Sequence, residues 1–210
     1  GGSAGMSHWY KWLLVTLMSF EILTATGITF GWSALSLALR RDRVYFELCE
    51  DPSDKGECDA VELQLGLIYS AGAISLPAGI TIFGFVMDRY GSVVVRLIGC
   101  FLLVVGSVLF ALCNSVTFDA YVAAVVLISA GGSAFFMSHF VIAEHFRHDH
   151  FGLVHALINS FFDASTLLFT IFEILHRAGV SIQALFAFLA CLCFVFALLS
   201  SDHTWGGLLP

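Results

Sequence analysis

The chain has 210 residues, of which 59% are hydrophobic and only 12% are charged, and its net charge is −7. A soluble domain carries about 25% charged residues, so this chain has too few charges to cover a surface that meets water on all sides. The acidic balance and the absence of a basic stripe argue against nucleic acid as a partner. A mean hydropathy of +0.91 indicates instead that lipid covers much of the surface.

Six apolar stretches follow one another along the chain. Residues 1–5 have the composition of an expression linker, so we expect one folded domain over residues 6–210. A helix needs roughly 20 apolar residues to cross a bilayer, and helices pair every backbone amide internally. We predict an all-α membrane protein with six transmembrane helices. They are expected at about residues 11–39, 61–87, 94–112, 119–146, 152–176 and 182–200.

The first stretch contains an acidic residue about one third of the way along it. A carboxylate at bilayer depth is costly unless it is paired or faces water, which makes Glu21 a candidate site. Thr24 follows on the same face, and Gly27 and Gly31 are spaced for a close helix contact. Glu21 either lines a cavity, where it binds a substrate ammonium group or a proton, or it lies near enough to the interface to reach water.

The one long polar connection separates the first two stretches and covers residues 40–60. Cys49 and Cys58 lie within it, and a disulfide between them would brace the loop in an oxidising compartment. Two free thiols are the alternative. The basic residues do not decide the orientation of the chain, because four fall on one side of the predicted membrane and five on the other.

A short charged turn joins the second and third stretches. Gly84 would let another helix approach closely, and Asp88 can accept hydrogen bonds from a neighbouring helix N-terminus. The chain turns at Gly91. Arg89 and Arg96 are expected at the membrane surface, where they would pair with acids or lipid phosphates. A charged hairpin turn without further function is the alternative interpretation.

Polar residues also interrupt the later stretches. Asn159, Asp163 and Thr166 form one polar stripe on the fifth stretch, which binds a substrate or a coupling ion or else bonds to a neighbouring helix. In the fourth stretch, His139 and Glu144 could relay protons. The alternative is that Glu144 is a surface residue near the helix end.

The sequence shows no arrangement typical of a metal centre or an enzyme. His148, Asp149 and His150 are too close together to converge readily as a tetrahedral metal site from one helix, although they could in a loop. The alternative is a short polar connector. No nucleophile–base pair and no phosphate-binding glycine loop occur. We predict no metal, no cofactor and no enzymatic activity.

The turn from Gly84 to Gly91 resembles the signature loop G-x-x-x-D-R-x-G of the major facilitator superfamily. Gly84, Asp88, Arg89 and Gly91 match it, and the resemblance implies that they form a latch that holds the two halves of the transporter in one state. Ser92 and Val93 stand where the family carries a basic residue, and Arg96 would substitute for it one turn later.

A narrower resemblance covers nearly the whole chain. Residues 160–169 and 178–181 are similar to the fifth helix and following loop of solute carrier family 43, which transports large neutral amino acids. Phe30-Gly31-Trp32 and Val95-Arg96-Leu97-Ile98-Gly99 are similar to that group too.

Superfamily members have twelve helices in two halves, so the six predicted here resemble the N-terminal half, built from two inverted three-helix repeats. The resemblance implies alternating access, with a small-molecule substrate between this half and a second six-helix half in the same or another chain. The alternative is an assembly subunit that contacts neighbouring subunits of a larger membrane complex.

Overall fold

The computed structural model describes residues 8–49, 58–144, 146 and 150–201, and this part of the chain is nearly all helical. The α-helices are α1 (His8–Ala25), α2 (Trp32–Arg41), α3 (Asp59–Tyr90), α4 (Ser92–Leu112), α5 (Tyr121–Glu144), α6 (Phe151–Ala164), α7 (Leu167–Arg177) and α8 (Ile182–Ser201). Two short 3₁₀ helices, Ile28–Gly31 and Phe46–Leu48, lie in the connections. The predicted all-α fold class is confirmed.

The described helices fall on the six predicted stretches, although not all are long enough to cross a bilayer alone. Four segments have the length and hydropathy of a span, namely Asp59–Tyr90, Ser92–Leu112, Tyr121–Glu144 and Phe151–Arg177. The pair Lys11–Ala25 and Thr29–Arg41 would cross together with a bend of 44°. Ile182–Leu198 is apolar but shorter. The total of six spans therefore stays a prediction.

Helices α4 and α5 cross with their backbones in close contact. A Cβ atom added to Gly131 of α5 would lie 2.8 Å from the backbone nitrogen of Leu103 and 2.9 Å from the carbonyl oxygen of Gly99, both in α4. Lipid provides no hydrophobic drive between helices, so such close packing of small residues is what holds a membrane bundle together. These glycines explain why α4 and α5 form the centre of the fold.

Two hydrophobic clusters surround this centre. The larger cluster joins α2, α3, α4, α5, α7 and α8, and its tightest aromatic contact stacks Phe110 on Phe186 with ring centroids 3.8 Å apart. The smaller cluster joins α1, α5 and α6 through residues such as Met18, Phe136 and Ile158. Both clusters share α5, which is the most buried of the four long spans.

The two membrane faces of the bundle differ in their contacts. One face, here called the loop side, carries the connections α2–α3, α4–α5 and α7–α8. There the hydroxyl of Tyr45 donates a hydrogen bond of 2.6 Å to Asp119, and His176 Nε2 lies 3.0 Å from Asp42. Burial, together with the Asp119 carboxylate, raises the pKa of the Tyr45 phenol. The opposite face, the turn side, carries the α3–α4 turn.

Cys49 and Cys58 form a disulfide on the loop side. The bond joins the end of the Phe46–Leu48 helix to the residue before α3, with Cα atoms 6.0 Å apart. Residues 50–57 of the connection between these cysteines lie outside the described part of the chain.

We expect Gly131→Val to destabilise the bundle, because the new side chain would meet the backbone of α4. Overpacking of this kind costs about 1–3 kcal/mol, and backbone atoms cannot move aside as a flexible side chain would. The melting temperature of the purified full-length protein in detergent should fall. Gly152→Ala in α6 is the control, since none of the residues that the structure describes comes within 4 Å of a Cβ added there. Equal melting temperatures for both variants would contradict the close crossing of α4 and α5.

Candidate functional site

Three ionisable side chains from three helices meet inside the bundle. Glu21 comes from α1, Arg96 from α4 and His139 from α5, and their side chains are 5%, 3% and 0% exposed. Arg96 is the fifth residue of α4, and His139 lies five residues before the end of α5. At 1.5 Å per residue, these positions lie about 6–8 Å inside the turn-side ends of their helices. We call these three residues the charged cluster.

The geometry of the charged cluster satisfies both carboxylate oxygens of Glu21. Arg96 Nη2 donates a hydrogen bond of 2.6 Å to Oε1, and His139 Nε2 lies 3.0 Å from Oε2. Arg96 Nη1 is 3.2 Å from His139 Nε2, and the guanidinium group lies 4.6 Å from the centroid of the Phe135 ring. A buried charge is tolerated when it is paired and hydrogen-bonded in this way.

This arrangement corrects one expectation and bears on two pairs of alternatives. Arg96 was expected at the membrane surface, but it is 2% exposed and its guanidinium group points into the bundle toward Glu21. Glu21 is 4% exposed, so it does not reach the interface. The structure places His139 beside Glu21. Glu144 lies exposed at the end of α5, which is the alternative that the sequence offers to a proton relay.

Two of the predicted spans are broken, and the breaks face each other. The first is interrupted between Ala25 and Trp32, and the fifth between Ala164 and Leu167. A Cβ added to Gly27 would lie 2.7 Å from the carbonyl oxygen of Phe162, and one added to Gly31 would overlap the carbonyl oxygen of Thr166. Only glycine permits this approach, which confirms the predicted close-packing role of both residues. Discontinuous helices of this kind often form the binding site of a transporter.

The predicted polar stripe lies at the break in the fifth span. Asn159 and Asp163 are exposed and Thr166 is partly buried. The Thr166 hydroxyl donates to the carbonyl oxygen of Asp163 over 2.9 Å, and the Ser165 hydroxyl donates to that of Phe162. The same two carbonyl oxygens also accept backbone hydrogen bonds, Phe162 from Ser165 N and Asp163 from Thr166 N, so the break keeps its backbone bonded. The carboxylate of Asp163 remains on the exposed face beside the break.

The five predicted substrate-binding residues therefore fall into two different surroundings. Glu21 and Thr24 are buried inside the bundle, and the Thr24 hydroxyl donates to the carbonyl oxygen of Phe20 over 2.9 Å. Asn159 and Asp163 lie on the exposed face of α6, and the partly buried Thr166 lies between α6 and α7. The shared site of Glu21, Arg96 and His139 was not predicted from the sequence. The signal was present, because opposite charges inside apolar helices need one another as partners.

The signature turn forms as the sequence predicts. Gly91 ends α3 and adopts φ of +83°, a backbone conformation that side-chain-bearing residues rarely adopt. Asp88 and Arg89 are exposed. Nothing within the described residues comes within 4 Å of a Cβ added to Gly84, so this face of α3 is open to another helix. The latch role of these residues and of Arg96 stays a prediction.

The histidine-rich connection after α5 is only partly described. Residues 145 and 147–149, which include His148 and Asp149, lie outside the described part of the chain. Among the residues that the structure describes, no group of three or more His, Cys, Asp or Glu side chains is arranged to hold a metal ion.

Residues 22–204 match the model of the family described as Sugar (and other) transporter. The chain belongs to this family. With its apolar helices, it is an integral, multi-pass membrane protein of the major facilitator superfamily. No solved structure matches the chain at a significant level.

Several curated proteins are similar to the chain. The equilibrative nucleobase transporter 1 of Bos taurus is 27% identical over 177 residues, which are 81% of this chain and 36% of that protein. Protein FMP42 of Saccharomyces cerevisiae is 33% identical over 74% of the chain and 31% of its own length. The large neutral amino acids transporter small subunit 3 of Homo sapiens is 24% identical over 88% and 36%. The chain thus spans about a third of the length of these relatives.

We expect Arg96→Gln to destabilise the full-length protein, because it leaves the Glu21 carboxylate buried without its cation. Removing one partner of a buried ion pair costs about 3–5 kcal/mol, whereas replacing both is often close to neutral. The double variant Glu21→Gln/Arg96→Gln should therefore melt at a higher temperature than Arg96→Gln alone. Additive losses in this double-mutant cycle would show that the two side chains are not coupled.

Proposed function

We propose that the chain is one half of a membrane transporter that moves a small solute by alternating access. The observation that carries this proposal is the pair of facing breaks in the first and fifth spans, in a chain that belongs to a transporter family. The exposed carboxylate of Asp163 lies beside the break in the fifth span, where a solute can reach it, and the unbroken α4 and α5 hold the surrounding helices in place. The alternative of an assembly subunit gains no support from the family match.

A second six-helix half would complete the site. Helix α3 is the least buried of the four long spans, with 17% of its most apolar window buried. Its open face carries a row of small residues that ends at the signature turn: Gly66, Ser70, Ala73, Pro77, Thr81 and Gly84. Small residues let helix backbones approach closely in a membrane. This row fits a helix of the second half, which Asp88 would meet at the turn side.

The loop side is proposed to face an oxidising compartment. Disulfides persist outside the cytosol, and the Cys49–Cys58 bond lies on this side. The signature turn is then cytosolic. The count of basic residues alone leaves this orientation of the chain open.

We propose a neutral amino acid as the solute, in accord with the resemblance to solute carrier family 43. The exposed carboxylate of Asp163 beside the break would pair with the ammonium group of an amino acid. The similarity to a nucleobase transporter supports a second candidate, in which the same carboxylate accepts hydrogen bonds from ring N–H groups. Competition of unlabelled leucine or adenine against each labelled solute would separate the two.

We expect Asp163→Asn to reduce solute uptake by the full-length protein in proteoliposomes. Loss of one charge-assisted hydrogen bond, worth about 1.5–3 kcal/mol, corresponds to roughly a tenfold to hundredfold loss in kcat/KM. Glu47→Gln removes an exposed carboxylate on the loop side and should leave uptake unchanged. An unchanged rate for Asp163→Asn would remove Asp163 from the site, and absence of uptake by the wild-type protein would overturn the transport proposal.

A further inference from the structure

The loop-side ends of the two broken spans meet at one imidazole ring. His176 lies in the last turn of α7, and its Nε2 atom is 3.0 Å from Oδ1 of Asp42, which caps the C-terminal end of α2. Its Nδ1 atom is 2.9 Å from the carbonyl oxygen of Val180, which follows α7. One ring therefore joins α7 both to α2 and to the turn before α8. We call Asp42, His176 and Val180 the loop-side clamp.

Both partners of this ring can only accept a hydrogen bond. A backbone carbonyl oxygen and an ionised carboxylate carry no hydrogen, so each contact requires one on the ring nitrogen that faces it. A neutral imidazole has one N–H group, whereas an imidazolium ion has two. The two contacts together therefore require the protonated ring. A neutral ring keeps only one of them, and in either tautomer its contact with Asp42 is no longer an ion pair.

The turn after α7 places the Val180 carbonyl independently of α2. Gly179 adopts φ of +102°, a backbone conformation that glycine accepts without strain. The Gly179 amide donates to the carbonyl oxygen of His176 over 3.0 Å, and the Val180 amide donates to that of Leu175 over 3.1 Å. These bonds close the C-terminal end of α7. The two acceptors of the ring thus belong to two separately fixed elements, and the ring needs two hydrogens to bond to both.

The charges around the ring come mainly from two helix ends. The C-terminal end of a helix favours a cation and disfavours an anion, so an imidazolium ion suits the end of α7 and Asp42 gains from a cationic partner. Glu173, three residues before His176, bonds to Arg177 and lies 3.9 Å from Arg41. These two arginines hold Glu173, which leaves Asp42 to the ring. The other described elements around the clamp contribute Arg40 and Arg43 at the end of α2, Tyr45 and Glu47 in the α2–α3 connection, and Asp119 and Tyr121 at the start of α5.

Water reaches the clamp from the loop side, since the side chain of Asp42 is 34% exposed and that of His176 is 10% exposed. We propose that the loop-side clamp is a pH-operated tie between the two broken spans, closed in acidic medium and loosened in neutral medium. On closing, a proton from water adds to the ring nitrogen that lacks one, and the new N–H group donates to the acceptor in front of it. No other bond forms or breaks, and on release the proton returns to water.

The clamp acts at the point where the loop-side halves of both broken spans end. In its closed form it holds the end of α2, from which the disulfide-braced connection leads to α3, against the end of α7. In its loosened form these two ends can move apart, which under the proposed function opens the breaks to a solute from the loop side. The effect on transport rests on the proposed function, whereas the tie itself does not.

The tie is tested without any measurement of transport. The melting temperature of the full-length protein in detergent is measured at about pH 5 and about pH 8, the limits between which histidine changes charge. Asp42→Ala and His176→Ala should each lower the melting temperature at pH 5, and the double variant should lower it by less than the sum, because either change alone breaks the pair. At pH 8 this coupling should shrink. Additive losses at pH 5, or equal coupling at both pH values, would overturn the tie.

The matched control cycle combines Asp42→Ala with His155→Ala. His155 lies on α6 against the rings of Phe140 and Phe151, so its loss and that of Asp42 should add at both pH values. If His176→Ala does not fold, His176→Gln takes its place, since an amide can donate a hydrogen bond but does not titrate. The loss caused by Asp42→Ala should then change with pH in the wild-type protein and not in His176→Gln. An equal change in both would show that another group titrates.

The effect on transport is tested with labelled leucine in proteoliposomes, with the pH changed on the loop side and held constant on the turn side. Acidic medium on the loop side should slow the flux about two- to fivefold, the factor that a partly exposed ion pair supplies. His176→Ala should lose this dependence and His155→Ala should keep it. A wild-type dependence in His176→Ala would overturn the effect on transport. If the wild-type protein transports neither leucine nor adenine, the proposed function fails, while the melting temperatures still decide whether the tie exists.

Discussion

A charge inside a membrane bundle is tolerated only when a partner meets it, and this constraint organises the described structure. The carboxylate of Glu21 draws together Arg96 and His139 from two other helices, and each of its oxygens accepts a contact. Because these residues come from α1, α4 and α5, the charged cluster fixes the position of the first span against α4 and α5. The side chains of the charged cluster lie among apolar neighbours. A shift of α1, α4 or α5 would therefore leave a buried charge without its partner.

Helices α4 and α5 can hold the first span in this position because their own backbones are in contact. Glycines on α4 and α5 remove the side chains that would otherwise separate the two helices, and the larger helices then pack around them. The spans that are broken, by contrast, lie outside this pair. The fold thus combines a closely packed centre with two interrupted spans around it.

The sequence predicts the helices and the signature turn well, since hydropathy and turn chemistry are local properties. The break in the first span is harder to predict: its residues are apolar or small, and only the contact of Gly27 and Gly31 with the fifth span explains the interruption. Arg96 is the clearest failure. A basic side chain five residues from a turn is usually expected to reach the surface. No feature of the neighbouring sequence shows that its partner inside the bundle is Glu21, 75 residues earlier. Charge pairing over such a distance depends on the packing of whole helices.

The two hydrophobic clusters divide each broken span at its break. Met18 and Ile22 of α1 share the smaller cluster with Val154 and Ile158 of α6, while α2 and α7 belong to the larger one. Ala25, the last residue of α1, already belongs to the larger cluster. The two interruptions therefore lie along one boundary between the two clusters, rather than as two separate defects. Under the proposed function, α1 and α6 would shift against α2 and α7 along this boundary, while the disulfide fastens the loop side.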